Sequence, residues 1–414
     1  MGSSSVSAQS PALARTVAAL RHLHLYRALE KLVSSAGAAP PPESNSDGTL
    51  MSRVAKERSI PLDSPLYQQG IEQFRGNLDR LLKKYRAAGI AVYVGTLASN
   101  ERDQAPFVSS ATAGDDAAAK HYERARTLDA AGNFPEARTE YIAAKDRDEL
   151  RFRAPEAFNE LIRELAQADG ATLVDVNGAF AAVARDGIIG SDLMLEHVHP
   201  NVEGYFRLAT AFYPPVSSRI GVPDVVIDDA TARTEIPVTE IDRLAGEYRV
   251  NVLKNDWPFV TQRREWTPPA PTGPIEVLAQ AWFAKRLSWA DAMNNAMGAY
   301  QQAGNAAEAA RVGANLAEAL VTQDNVQYTA GRLLLRADQP ERSLLYLHRA
   351  IRLNSTPIEY QLSLAEAQAR TGHPADSVKT LEAVLAAHPN EQRAQYWLAE
   401  MKRRQQESTA GGSH

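Results

Sequence analysis

Apolar positions along the chain recur at helical spacing in several stretches. Val17, Leu20, Leu23, Leu25, Leu29 and Leu32 predict a helix over 11–34. Pro40-Pro41-Pro42 and the polar residues around them then mark a loop between Gly37 and Gly48. Ile71, Phe74, Leu78, Leu81, Leu82 and Tyr85 share one face of a second helix over 65–87, which Gly89 closes. The pattern then changes. Residues 90–96 (Ile-Ala-Val-Tyr-Val-Gly-Thr) form a short, mostly apolar run between a glycine and a polar loop, as in a buried parallel strand. A helix over 155–168 (Phe158, Leu161, Ile162, Leu165) leads through Gly170 to a second such run, 172–176, and a helix over 201–213 follows. Alternation of this kind predicts an α/β layer around a parallel sheet.

A longer ruler governs the last third of the chain. Gly304, Asp338 and Gly372 are spaced by 34 residues, and five residues after each stands a small one: Ala309, Ser343 and Ser377. Ala350 lies twelve residues after Asp338, and Pro389 seventeen after Gly372. Paired helices at this period, with small residues where they cross, resemble tetratricopeptide repeats. The array is expected over 275–404, with repeats from about 288 to 403. The same spacings recur once in an insertion at 115–150, where Ala137, Tyr141 and Ala144 follow Gly132 at five, nine and twelve residues, so a helical hairpin is expected there. Residues 1–230 are assigned to the α/β part, 231–274 to a connector with a stiff hinge (Pro268, Pro269, Pro271 and Pro274), and 405–414 to a disordered polar tail.

Composition narrows the function. With 44% hydrophobic and 23% charged residues, the 414-residue chain reads as a soluble globular protein of two or three domains. The net charge of −5 and scattered basic residues argue against nucleic acid as a partner. The absence of cysteine excludes disulfides, thiolate metal sites and a cysteine nucleophile. No apolar run is long enough for a membrane span, and the first residues lack the basic start and apolar stretch of a signal peptide. No cofactor is implied, and the remaining histidines show no metal-ligand spacing.

One segment carries candidate chemistry: Glu196-His197-Val198-His199-Pro200-Asn201. On a loop, an acid three residues before a histidine reaches its Nδ1 and leaves Nε2 free to take a proton. Glu196 and His199 are therefore the candidate catalytic residues, with Pro200 stiffening the loop and Asn201 capping the next helix. His197, between them, is read either as packing or as part of the site. Asn100, past the first strand, is a pocket-lining candidate or a turn former; Ser99, Ser109 and Ser110 nearby read as turn hydroxyls.

The block Glu196-His197-Val198-His199-Pro200-Asn201, with Gly204-Tyr205 and Leu208-Ala209 after it, resembles the last block of the SGNH hydrolases, the GDSL-type esterases. More narrowly it is similar to bacterial SGNH-like proteins fused to tetratricopeptide repeats, as are the segments 94–107, 173–176 and Trp257-Pro258-Phe259. The resemblance implies a flavodoxin-like three-layer parallel sheet, an acylated carbohydrate or lipid substrate, and an N-terminal membrane-anchoring helix in related proteins. It implies His199 as general base with Glu196 in place of the usual Asp. The family's Gly-Asp-Ser and Gly-x-Asn-Asp blocks are not found, nor is a Gly-x-Ser-x-Gly elbow. The chain is thus expected to hold a partial SGNH-like domain, N-terminally incomplete, with negligible turnover.

The alternative is a non-catalytic scaffold. A repeat array forms an extended surface for a protein or peptide partner. Tyr328, Arg332, Arg336 and Tyr360 fall on repeat helices and are the groove candidates, the other reading being solvated outer-face residues.

Overall fold

A computed structural model describes residue 51, residues 59–221 and residues 228–411. The expected helix over 11–34 and the loop after it lie outside the described residues. The chain divides into two units, one running to Thr234 and including Val250–Trp266, the other made of Glu235–Arg249 and Thr267 onward. The stretch 231–274, expected as a connector, is shared between them.

In the first unit, helix α1 (Pro65–Ala87) begins where the Ser64 side chain accepts from the Tyr67 amide. Strand β1 (Tyr93–Gly95) follows. Helices α2 (Ala118–Ala130) and α3 (Phe134–Arg147) form the insertion. Then come α4 (Glu156–Asp169), β2 (Thr172–Val174), α5 (Val176–Val183), α6 (Val202–Ile220) and α7 (Asp229–Thr234). The two strands are parallel, with Tyr93 opposite Thr172 and Gly95 opposite Val174. Gly95 has no room for a side chain, since a Cβ there would meet Val176 at 3.0 Å and Phe212 of α6 at 3.1 Å. Val174, Val176, Phe180, Ile189, Leu193 and Met194 form the core beneath α6. Elsewhere in the unit α1 packs on α4, with Phe74 edge-on to Phe158 at 4.7 Å.

The expected three-layer sheet is corrected. Among the described residues the sheet has two strands of three residues each. The two runs pair over three residues only; beyond Gly95 the chain enters a loop, and beyond Val174 Asp175 caps α5. Conversely, α6 outlasts its predicted end and runs through Pro214 and Pro215. Packing of Phe212 on the sheet and the bond from Tyr93 Oη to the Pro215 carbonyl hold that turn despite the missing amides.

The insertion hairpin turns at Gly132 (φ 80°) and buries Ala125, Ala137 and Tyr141. Its apolar face meets Ile188 of the same unit, so the hairpin is a single repeat-like pair that caps a core.

The second unit begins with the first part of α8 (Glu240–Lys254), followed by α9 (Pro274–Phe283). The repeats are α10 (Trp289–Gln302) with α11 (Ala306–Ala319), α12 (Asp324–Arg336) with α13 (Pro340–Leu353), and α14 (Ile358–Arg370) with α15 (Pro374–Ala387). Helix α16 (Gln392–Gly411) closes the series. It continues through most of the expected disordered tail, whose first residues (Gln405, Gln406, Glu407) are good helix formers. Gly304, Asp338 and Gly372 all adopt the left-handed conformation, with φ of 72°, 58° and 78°, at the turn inside each pair. The small residues five positions on, Ala309, Ser343 and Ser377, are buried, as is Ala350. Their lack of bulk lets neighbouring helices approach. The second unit is therefore a helical-repeat array resembling tetratricopeptide repeats.

Gly331 marks a tight crossing, because a Cβ there would lie 2.7 Å from Leu347 Cγ. Gly331→Ala is expected to destabilise the array by about 1–3 kcal/mol through overpacking. Gly298→Ala, at a helical glycine with nothing within 4 Å of the added atom, should be neutral or stabilising by up to about 1 kcal/mol. Urea unfolding followed by far-UV circular dichroism measures both.

Candidate functional site

The Glu-His block sits on a loop that folds back on itself. Leu195 donates its amide to the His199 carbonyl at 2.8 Å, Asn201 donates to Leu193 at 2.9 Å, and Met194 bridges Pro200. Asn201 Oδ1 then accepts from the Gly204 amide at 2.9 Å and caps α6. Glu196 is carried inward at the tip of this loop, and its side chain is only 1% exposed. Its carboxylate accepts from the His199 amide at 2.7 Å and faces His199 Nδ1 at 2.5 Å. Its other oxygen pairs with His197 Nδ1.

Burial alone would push the Glu196 carboxyl up. The hydrogen bond and charge of His197, with the amide and ring of His199, outweigh it and hold the pKa down to about 2. A carboxylate against Nδ1 keeps the proton on that nitrogen. The His199 ring, 66% exposed, therefore presents Nε2 to solvent as an acceptor. The pair has the acid–imidazole geometry that a nucleophilic site would need beside a nucleophile. Among the described residues no hydroxyl hydrogen-bonds to His199.

His197 differs in every respect. It is buried, with Phe107, Phe152 and Phe259 edge-on around its ring at 5.4, 5.9 and 5.4 Å. Trp257 packs on Phe152, so the Trp257–Phe259 segment encloses this ring. His197 screens the Glu196 charge and packs the loop; it presents nothing to solvent.

Asn100 is buried in the loop after β1. Its Oδ1 accepts from the Asp103 amide at 2.8 Å, and its own amide donates to the His197 carbonyl at 3.0 Å. Two buried arginines hold this loop. Arg102 reaches Asp129 and Asp186, each at 3.0 Å, and the Arg185 carbonyl. Arg153 donates to the carbonyls of Asn100 and Gln104 at 2.9 and 2.8 Å and pairs with buried Asp148 at 3.1 Å. From α3, Arg138 bonds Glu101. Sequence reasoning read Asn100 as a pocket-lining or turn residue and placed Glu101-Arg102-Asp103 only in a polar loop. Its partners lie dozens of residues away, and the sole local signal was a charged run immediately after a strand.

The groove candidates sit on the first helices of the repeats. Tyr328 of α12 stacks on Tyr360 of α14, ring centres 4.5 Å apart. Tyr360 is only 6% exposed and donates to Asp324; burial, then that bond, pushes its hydroxyl up to about 12. Arg332 pairs with Glu366 at 2.8 Å, one repeat further on. Arg336 is exposed, and among the described residues nothing pairs with it. Sequence reasoning missed a second such pair, Arg393 with Glu359 at 2.9 Å, again 34 residues apart. The repeat period itself was the signal that would have found it.

Among the described residues no three His, Asp or Glu side chains are grouped to hold a metal ion, and no helix is long and apolar enough to cross a membrane. No family model matches the chain, and no curated protein matches it. Among solved structures it is similar to the crystal structure of the P58(IPK) TPR domain. The identity is 12% and the TM-score 0.27, over 69% of this chain and 64% of that one. The chain thus spans less than two thirds of that structure's length. The repeat assignment rests on the 34-residue spacing of left-handed turns and buried small residues.

Because Glu196 is held below its unfolded value, it contributes stability that is complete above about pH 4.3 and lost as the pH falls from there toward about 2. Glu196→Gln should lower stability near neutral pH by on the order of 3 kcal/mol, at about 1.4 kcal/mol per pKa unit. The gap from wild type should close as the medium is acidified. Urea midpoints of the two proteins across that range check the sign.

Proposed function

We propose that the chain is a helical-repeat scaffold whose first helices, α10, α12, α14 and α16, bind an extended segment of a partner protein. The observation that carries this reading is that contacts along these helices recur at one-repeat spacing. Arg332 meets Glu366 and Arg393 meets Glu359, each pair 34 residues apart, so side chains of successive repeats join into one continuous surface. Stacked Tyr328 and Tyr360 lie on the same series of helices. Two of the cations there are already neutralised. Among the described residues Arg336 is exposed and unpaired, and Tyr396 is 71% exposed; both are available to a ligand. Tyr328, Arg332 and Tyr360 then set the shape of the surface.

Photocrosslinking in cells tests this. A benzophenone amino acid at position 336 or 396 should give a discrete adduct of one size. The same group at Leu345 or Leu353, exposed on the second helix α13, should give none. Adducts confined to 345 and 353 would place the working surface on the other face.

A second reading rests on Glu196 and His199. A buried acid orienting an exposed imidazole supports an SGNH-like ester hydrolase or acyltransferase acting on an acylated carbohydrate or lipid. Asn100, whose side chain is taken by its own turn, supports the loop beside it. In this reading the nucleophile comes from residues outside those described or from another chain. The purified chain is expected to stay unlabelled by a fluorophosphonate probe. Serine-specific labelling abolished by His199→Ala would establish the enzyme reading.

A further inference from the structure

At the opposite end of the sheet from the Glu-His loop, the first unit has a cavity of about 260 Å³. Gly89–Val92 approach it just before β1, and Gly170 and Ala171 just before β2, with Thr172 at the start of that strand. Its charged lining is Arg86, Arg219 and Asp169; Leu82, Ile90 and Val92 give it an apolar wall.

The charges are unusual in being unspent. Among the described residues neither Arg86 nor Arg219 has an ion pair or hydrogen bond through its guanidinium. Asp169 is 5% exposed, and its Oδ2 is buried without a hydrogen-bond partner. Lys83, near enough to feel the charge of Asp169, is held by Asp79 at 2.6 Å. Three helices, α1, α4 and α6, end beside this cavity, and each carboxyl end carries roughly half a negative charge. Arg86 and Arg219, in the last turns of α1 and α6, have the sign such ends favour. Asp169, in the last turn of α4, has the wrong one. A buried carboxylate with a free oxygen at the negative end of a helix is costly unless a cation joins it.

We propose that this cavity binds a small zwitterion, an apolar α-amino acid or a molecule with the same charges. Its carboxylate lies between Arg86 and Arg219, its ammonium at Asp169, and its side chain along Leu82, Ile90 and Val92. The size agrees: the cavity falls just below the roughly 300–1,000 Å³ of drug-sized sites, which suits an amino acid. Presenting both signs separates this site from a plain anion site, which needs no carboxylate, and from a cation site, which two free guanidiniums would oppose.

The test uses the full chain and L-leucine, by isothermal titration calorimetry and saturation-transfer NMR. Leucine is expected to bind. Leucinamide, which lacks the carboxylate, and N-acetyl-leucine, which lacks the ammonium, should each bind at least about tenfold more weakly, the loss of about one charge-assisted contact. Arg219→Gln, at an exposed position, should weaken leucine by a similar factor. Asp169→Asn should remove the preference for leucine over N-acetyl-leucine. No binding by leucine, isoleucine, valine or methionine, or equal binding of leucine and N-acetyl-leucine, would overturn the proposal.

Discussion

Two buried guanidiniums decide what the first unit can do. The carboxyl end of a parallel strand is where an α/β layer ordinarily opens a ligand site. Here the loop at that end is buried and ion-paired. Arg153 ties the carbonyls of Asn100 and Gln104 to Asp148, and Arg102 ties the same loop to Asp129 and Asp186. The insertion hairpin provides Asp129, along with Tyr122, whose hydroxyl bonds the Arg102 carbonyl. Buried charges of this kind contribute little net stability, but removing one partner is costly, so the loop has essentially one arrangement. The Glu-His loop is docked on it through His197, which leaves His199 alone at the surface.

The second unit depends on the opposite device, the absence of side chain. Gly331, Ser343, Ala350 and Ser377 let helices approach, and the left-handed residues at 304, 338 and 372 set equal turns. Equal turns put equivalent positions of successive repeats on one face, which is why a charge on one first helix finds its partner one repeat later. A surface built by repetition is long and shallow. It suits an extended polypeptide better than a small substrate.

Much of this was legible in the sequence where the determinants are local or periodic. The 34-residue ruler located the turns, even at Asp338, and the spacing of Glu196 and His199 placed their side chains in contact. The sheet was overestimated because an apolar, β-branched run records only burial, and a strand also needs a partner along its length. The burial of Arg102 and Arg153 was not legible, because local sequence carries no trace of their partner carboxylates at 129, 148 and 186. For Tyr360 the position on a first helix was visible, whereas the ring of Tyr328 stacked on it was not.

The central claim is that ion pairs lock the loop after the first strand into one arrangement. Hydrogen exchange of the intact chain, resolved to the amides of Asn100, Glu101 and Arg102, addresses it directly. These amides donate to His197 and Ile189 carbonyls inside the lock. The account predicts that they exchange as slowly as those of Tyr93–Gly95 and Thr172–Val174. Exchange at the rate of an unstructured peptide would mean that the loop opens freely, and the account would be wrong.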